Sequence, residues 1–210
     1  MDFSLSEEQQ ATRDLAKQIL GDLVTPERHK ELEAAGEWVD AKAWSALADA
    51  GLLGIAVPEE HGGAGLGFLE VALVLEEIGR TVAKVPYLAS VVLGALPLAA
   101  FGSVAQQAEW LPRLASGEAI ATAALVEAGR DPGDPATSAR LVDGEWRLDG
   151  YKDFVPAGLD ASVVLVPART GGVGVFLVDP RAAGVSVERQ DTTTGIPEAR
   201  LNFEGAPVLG

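Results

Sequence analysis

The amino-acid composition changes abruptly near Gly117, and this change constrains the fold more than any other feature of the sequence. Before it, Ala, Leu and Glu dominate, which favours helices. After it, Val, Thr and Gly-rich turns take over, which favours short strands. The chain has 210 residues, enough for two small domains that each bury a core. We therefore predict an α+β protein, with an all-α helical bundle at residues 1–118 and a small β domain at residues 119–210.

End signals predict five helices in the first domain. Ser6 followed by Gln9 is a capping-box pattern that begins the first helix. Asp40 is a suitable N-cap for the second, which we expect to end at Gly51 in a left-handed conformation. The residues of the first helix expected to face the core are Ala11, Leu15 and Ile19. The other predicted helices are residues 69–79, a segment around residues 87–101, and one that Ser103 and Gln106 begin and that ends before Gly117.

Short apolar segments separated by turn residues predict a small sheet in the second domain. Asp143-Gly144 lies between two such segments and is the signal of a type I′ hairpin. Because no helical pattern separates the segments, we predict an antiparallel sheet or barrel and not a parallel β-α-β array. The predicted strands are residues 119–125, 141–142, 146–148, 163–166, 173–178, 185–189 and 200–203.

Composition excludes several classes of function. The chain has no Cys, which excludes disulfides, a thiolate nucleophile, a Cys-ligated zinc site and an iron–sulfur cluster. His29 and His61 lack a second ligand at helical spacing, so we predict surface positions and no metal site. With 16 Lys and Arg against 31 Asp and Glu, the net charge is −15. Nucleic acid and anionic membranes are therefore not expected partners.

Two segments bear on targeting. Residues 1–8 lack the basic and apolar regions of a secretory signal. Residues 85–108 carry no charge, but Pro, Gly and Gln interrupt the apolar sequence, so we interpret it as a buried helix and not a membrane span. We expect a cytoplasmic protein without a membrane partner.

The glycine-rich stretch at residues 62–67 precedes a predicted helix. Its spacing is G-x-G-x-G and the following segment is helical, whereas a dinucleotide loop needs G-x-G-x-x-G after a strand. A tight connection between helices is the better interpretation. Of the adjacent Glu76 and Glu77, one must point towards the apolar face of its helix.

Two loops of the β domain are the candidates for ligand binding. Residues 123–134 lead from a strand into a loop whose backbone N–H groups can bind an anionic or strongly accepting ligand. Residues 150–158 present Phe154 beside Val155 and Pro156, an apolar surface that can face a ring system. The alternatives are a plain connection between strands for the first loop and a strand end packed in its own core for the second.

Several separated segments resemble the acyl-CoA dehydrogenase family, in the family's order. The string Ala-Gly-Leu-Leu-Gly-Ile-Ala-Val-Pro-Glu-Glu-His-Gly-Gly-Ala-Gly at residues 50–65 is the most specific. Residues 4–20 resemble the opening helix, residues 76–80 the end of the third helix, and residues 110–118 the helix that leads into the β domain. The resemblance implies a third, C-terminal helical bundle that is absent from this chain.

The resemblance also implies a chemistry. Such enzymes are FAD flavoproteins of fatty acid or steroid degradation that remove two hydrogens across the Cα–Cβ bond of an acyl-CoA. A carboxylate takes the α-proton and the flavin takes the β-hydride. Electrons pass to an electron-transfer flavoprotein, and the enzymes are homo- or hetero-oligomers, dimers or tetramers. No catalytic residue is assigned within this chain, because the base is expected C-terminal to Gly210.

Residues of the two loops align with the family's site. Leu125 and Val126, with Phe154, Val155 and Pro156, correspond to the positions that contact the flavin. The residues that correspond to positions near the acyl-CoA are Arg130, Gly133 and Asp134.

The chain departs from the family pattern at three of its positions. Val126 replaces a Thr, Ala128 a Pro, and Pro156 a Thr or Ser, so two hydroxyl donors to the flavin are absent. Such bonds are worth roughly 1.5–3 kcal/mol each. The alternative function is therefore a non-catalytic partner subunit of a heteromeric acyl-CoA dehydrogenase, with a degenerate flavin site. A related flavin monooxygenase is a third, weaker hypothesis.

Overall fold

A computed structural model describes residues 4–209. Residues 1–3, at the start of the segment examined for a signal, and Gly210, after which the catalytic base is expected, lie outside this range. The chain divides into two compact units between Glu118 and Ala119. The first is helical and the second is a β sheet, which confirms the α+β prediction.

The helical unit contains six α-helices, a single 3₁₀ turn and a π-helical segment among the described residues. The α-helices are α1 (Glu7–Leu23), α2 (Pro26–Ala35), α3 (Ala41–Asp49), α4 (Phe68–Thr81), α5 (Leu96–Phe101) and α6 (Val104–Ala115). The 3₁₀ turn is Glu59–His61 and the π-helical segment is Leu88–Ala95.

Capping chemistry begins the helices where the sequence predicts. The Ser6 hydroxyl accepts from Gln9 N at 3.2 Å while the Gln9 side chain accepts from Ser6 N, and Ser103 with Gln106 repeats the arrangement. Gly51 adopts φ 73° after α3. These predictions are confirmed because each rests on backbone groups within four residues.

The buried face of α1 differs from the prediction. The buried residues are Thr12, Ala16 and Leu20, and Leu15 is 40% exposed. The predicted and observed stripes are offset by one residue, which rotates them by about 100° around the helix axis, and both contain apolar residues. Helix α1 packs mainly against α4, and the sequence of α1 alone does not specify which stripe faces that partner.

Helix α2 was not predicted, because it buries only Leu32 and shows no apolar stripe. The sequence nevertheless contains a signal for the start of this helix, since the Thr25 hydroxyl caps Arg28 N and Pro26 occupies the first turn. The helix places Arg28 against Asp40, with Nε–Oδ2 and Nη2–Oδ1 distances of 3.0 and 2.9 Å. Asp40 also caps α3, so one buried carboxylate joins two helices.

Acid should weaken the helical unit through Asp40. The Arg28 guanidinium, with the backbone donors of α3, holds the pKa of Asp40 below its ordinary value against the effect of burial. A carboxyl whose folded pKa is depressed stabilises the fold above its unfolded pKa of about 3.9, and this contribution is lost as pH falls through the folded pKa. We expect Asp40→Asn to lower the free energy of unfolding at neutral pH and to reduce its loss on acidification below the unfolded pKa, measured by urea titration. The exposed Asp22→Asn is the control, and an equal effect there would contradict the assignment.

The uncharged segment after α4 is helical over residues 88–101, as predicted, but only its end is α-helical, and Leu88 and Phe101 at its two ends are exposed. It runs as the π-helical segment into α5, with Gly94 buried inside it. Tyr87 lies just before it, fully buried, and donates to Leu52 O at 2.9 Å. Burial raises the pKa of the Tyr87 phenol. Within residues 4–209, no helix combines the length and the apolar character that crossing a membrane requires.

The β unit is one seven-stranded sheet over the described residues. Its strands are β1 (Ala121–Ala123), β2 (Ser138–Val142), β3 (Glu145–Pro156), β4 (Val163–Arg169), β5 (Val173–Val178), β6 (Val185–Gln190) and β7 (Glu198–Pro207). The strand order is β1-β4-β2-β3-β7-β6, with β5 paired to β4. Its core contains Leu148, Val155, Val164, Val166, Val178, Leu201 and Phe203.

The sheet is mixed: its pairings are antiparallel, as predicted, except that β1 and β2 pair with β4 in parallel. Strand β1 pairs with β4 in parallel, Ala121 opposite Val163. The intervening β2–β3 hairpin returns the chain to the end of the sheet where β1 begins, so β4 runs in the direction of β1. The hairpin itself is confirmed, because Asp143 and Gly144 have φ values of 53° and 86°, as a type I′ turn requires.

Candidate functional site

A β-bulge in β3 presents Phe154 at the surface. The pairing of β3 with β7 shifts between Lys152 and Val155, so β3 contains one extra residue there. Phe154 has φ 50°, a left-handed conformation that is uncommon for a bulky side chain. Its ring is half exposed while Val155 is fully buried. The bulge thus turns the aromatic ring outward and Val155 into the core.

The segment after β1 lies against this bulge. Asp153 N donates to Val126 O at 2.9 Å, which joins the two candidate loops through their backbones. Leu125 and Val126 are both partly exposed. We call Leu125, Val126 and Phe154 the bulge surface; it is apolar, and its members come from two separate segments of the chain.

A buried ion pair links these segments. Lys152 Nζ lies 2.7 Å from Glu127 Oε1, and both side chains are almost inaccessible to solvent. The carboxylate also accepts from Ala136 N at 2.6 Å and Thr137 N at 3.1 Å. One side chain therefore holds the start of the loop after β1, the end of that loop, and β3.

Burial and pairing have different net effects on the pKa values of the two groups. Burial raises the pKa of Glu127, but Lys152, Thr137 and the backbone donors outweigh it, so the pKa lies below its ordinary value. Burial lowers the pKa of the Lys152 ammonium more than Glu127 raises it. The carboxylate keeps several donors, whereas the ammonium depends on Glu127. The two pKa values are therefore lowered for different reasons, that of Glu127 by its hydrogen-bond donors and that of Lys152 by desolvation.

The predicted substrate loop forms its own ion pairs. Asp134 bridges Arg130 Nη1 at 3.3 Å and Arg169 Nη2 at 3.1 Å. Gly133 N donates to Asp131 Oδ1 at 2.8 Å within the same turn. Asp134 is thus paired with one arginine of its own loop and with Arg169, the last residue of β4. Arg130 does not stand there as an unopposed cation.

Pro156 occupies the end of β3 beside a buried hydroxyl. The Thr122 hydroxyl donates to Pro156 O at 2.7 Å. Thr122 thus satisfies the carbonyl of the residue at which the resemblance implies a hydroxyl side chain. The Pro156 ring itself lies half-buried next to Val155 and outside the bulge surface.

A polar group of three residues supports the bulge from the sheet edge. Gln190 Oε1 accepts from Phe154 N at 2.8 Å, and Gln190 Nε2 donates to Asp153 Oδ1 at 3.3 Å. Arg200 Nη1 lies 3.2 Å from the same Asp153 oxygen. Neither Gln190 nor Arg200 was singled out from the sequence, because their link to Phe154 arises only when β6 and β7 pair with β3.

Glu127 and Lys152 were also missed as functional candidates. A usable signal existed, since each is a charged residue next to residues with a strand pattern, and such groups are buried only when paired. His29 and His61 are partly exposed, and His29 Nε2 lies 3.3 Å from Thr81 O. Across residues 4–209 no group of three or more His, Asp or Glu side chains is arranged to hold a metal ion.

Family models match both units. One described as "Acyl-CoA dehydrogenase, N-terminal domain" matches residues 6–118, and one described as "Acyl-CoA dehydrogenase, middle domain" matches residues 123–205. Together they account for nearly the whole chain.

Individual proteins similar to this chain come from the same family. Acyl-CoA dehydrogenase FadE27 of Mycobacterium tuberculosis is 40% identical over 209 residues, 99% of this chain and 55% of the relative. The ChsE4-ChsE5 complex of that organism matches with a TM-score of 0.92 and 39% identity, over 99% of this chain and 57% of the other. An acyl-CoA dehydrogenase of Bacillus anthracis complexed with FAD matches with a TM-score of 0.84 and 30% identity, over 98% and 37%. The chain spans about half the length of the curated relatives it matches. It belongs to the acyl-CoA dehydrogenase family.

Proposed function

We propose that the protein is an FAD-dependent enzyme that dehydrogenates an acyl-CoA thioester between Cα and Cβ. Support comes from family membership of both units and from the FAD complex of the Bacillus anthracis relative. The observation that carries the proposal is the bulge surface, which exposes an aromatic ring on the sheet, next to a segment with two exposed aliphatic residues.

The residues present fit a planar ring system. Phe154 supplies a ring face or edge for stacking, and Leu125 and Val126 supply apolar contact. The surface needs little reorganisation, because the buried Glu127–Lys152 pair holds both segments in place. When bound, FAD would supply the two-electron acceptor of the reaction. We assign binding and orientation of the ring system to this chain's described residues, and no proton transfer.

Phe154→Ala should weaken FAD binding about tenfold, because an aromatic contact is worth up to about 1.5 kcal/mol beyond the area it buries. The dissociation constant is measured by flavin fluorescence titration of the apoprotein. Phe101→Ala is the matched control, since Phe101 is 89% exposed in the helical unit. Equal FAD affinity in wild type and Phe154→Ala, or equal losses in both variants, would contradict this site. A full-length protein that binds no FAD would contradict the function.

A heteromeric partner subunit is the second candidate function. Val126, Ala128 and Pro156 stand where the family has hydroxyl or turn-forming residues, and the ChsE4-ChsE5 relative is a complex of two chains. Co-expression with the neighbouring gene product separates the two candidates. One flavin per heterodimer favours the partner role, whereas two flavins, or an active homomer, favour a catalytic chain.

The remaining assignments follow from the same proposal. The loop that contains Arg130, Gly133 and Asp134 is proposed to contact the acyl-CoA, mainly through polar groups, because Arg130 is already paired with Asp134. Electrons are proposed to pass to an electron-transfer flavoprotein. A cytoplasmic location stays a prediction from the sequence.

A further inference from the structure

We propose that Gln190 is a positioning residue for Phe154: its side-chain amide holds the bulge so that the ring lies where FAD binds. The inference rests on the proposed function for its consequence, but the positioning itself concerns only this chain's own residues. No motif of the sequence marks Gln190, which is the last residue of β6.

The Gln190 amide makes contact with two consecutive residues of the bulge. Its oxygen accepts from Phe154 N at 2.8 Å and its nitrogen donates to Asp153 Oδ1 at 3.3 Å. One planar group therefore fixes both the backbone of the extra residue and the side chain beside it. Because the two contacts lie on opposite atoms of the amide, they also fix the orientation of the amide.

The bulge needs such a partner. An extra residue in one strand has no ladder partner of its own, and here the Phe154 N–H is paired by a side chain. Phe154 also keeps a positive φ that a bulky residue adopts only when its surroundings impose it. Removing the Gln190 contact should let the backbone relax and move the ring away from Leu125 and Val126.

Arg200 also contacts Asp153, at the same oxygen as Gln190. Arg200 Nη1 lies 3.2 Å from Asp153 Oδ1, and the Arg200 guanidinium stacks 4.4 Å above the Tyr151 ring. Arg200 Nε also donates to Asn202 Oδ1 at 3.2 Å. The carboxylate that receives the Gln190 amide is thus anchored by its own strand and by β7. Gln190 is the member of this group that contacts the Phe154 backbone directly.

The test uses Gln190→Met, which keeps the side-chain length but removes both polar atoms, and Gln190→Asn, which keeps the amide but shortens its reach. In the full-length apoprotein, hydrogen exchange of the Phe154 amide should become about fivefold faster in both variants, as expected for loss of one hydrogen bond. The FAD dissociation constant should rise about fivefold, with an altered visible absorption band of the bound flavin.

Glu188→Ala is the matched control. Glu188 lies two residues before Gln190 on β6, and its carboxylate accepts from Asn202 Nδ2 at 3.0 Å. The substitution deletes a side-chain hydrogen bond of the same strand and leaves the Gln190 amide in place. Phe154 exchange and FAD affinity should therefore stay at their wild-type values in this variant.

Three results would overturn the inference: unchanged Phe154 exchange in Gln190→Met, faster exchange with unchanged FAD affinity, or an equal loss of FAD affinity in Glu188→Ala. Failure of the proposed function looks different, because the wild-type protein would then bind no FAD. In that case the exchange rates still decide whether Gln190 holds Phe154.

Discussion

Replacing Lys152 by Met should lower the free energy of unfolding of the β unit by about 3–5 kcal/mol, the usual cost of breaking a buried ion pair from one side. The Glu127 carboxylate would remain buried without its countercharge, and its remaining donors are the backbone N–H groups of Ala136 and Thr137. Urea unfolding followed by circular dichroism measures the loss. Lys17→Met, the same change at an exposed position of α1, should cost little.

The double variant Glu127→Gln/Lys152→Met separates the charge from the packing. The glutamine that replaces Glu127 would still accept from the loop backbone, and no unpaired charge would stay buried, so the double variant should be more stable than Lys152→Met alone. Buried pairs replaced as a unit are often close to neutral, whereas half-removed pairs are not. Additive losses in the double variant would show that the two side chains act independently, contrary to the 2.7 Å contact.

The parts of the fold that could be predicted from the sequence depend on backbone chemistry within a few residues. The Ser6 and Ser103 capping boxes and the Asp143-Gly144 turn are of this kind. Each pairs a polar or glycine residue with a backbone group close to it in the chain, so the pattern is visible without knowledge of the tertiary fold.

The parts that could not be predicted depend on partners distant in sequence. Nothing in residues 119–125 specifies the parallel neighbour β4, because small apolar residues suit either direction. The bulge at Phe154 likewise exists only relative to β7. For the candidate site, the resemblance predicted Leu125, Val126 and Phe154. The contacts of Glu127, Lys152 and Gln190 that hold these segments depend on strand pairing, which the sequence does not show.

Gly63→Ala should destabilise the helical unit by about 3 kcal/mol or more, because the added methyl group would collide with backbone atoms that cannot move aside without breaking other contacts. A Cβ at this position would lie 2.5 Å from Gly54 O and would also collide with Val57. These atoms cannot withdraw freely, since Gly54 O accepts from Val57 N and from Ala64 N at 3.0 Å. The glycine-rich stretch is thus a tight connection between α3 and α4, as predicted.

Gly62→Ala is the matched control for this prediction. Gly62 has φ 83° with open space around it, so an added Cβ meets only the strain of the left-handed conformation, about 1 kcal/mol. Thermal and urea unfolding of the two variants should therefore differ by about 2 kcal/mol, although the substitutions are adjacent and chemically identical. Equal losses would mean that the connection tolerates a side chain at Gly63. A larger loss in Gly62→Ala would mean that the glycines are needed for the backbone conformation of the turn and not for its close packing.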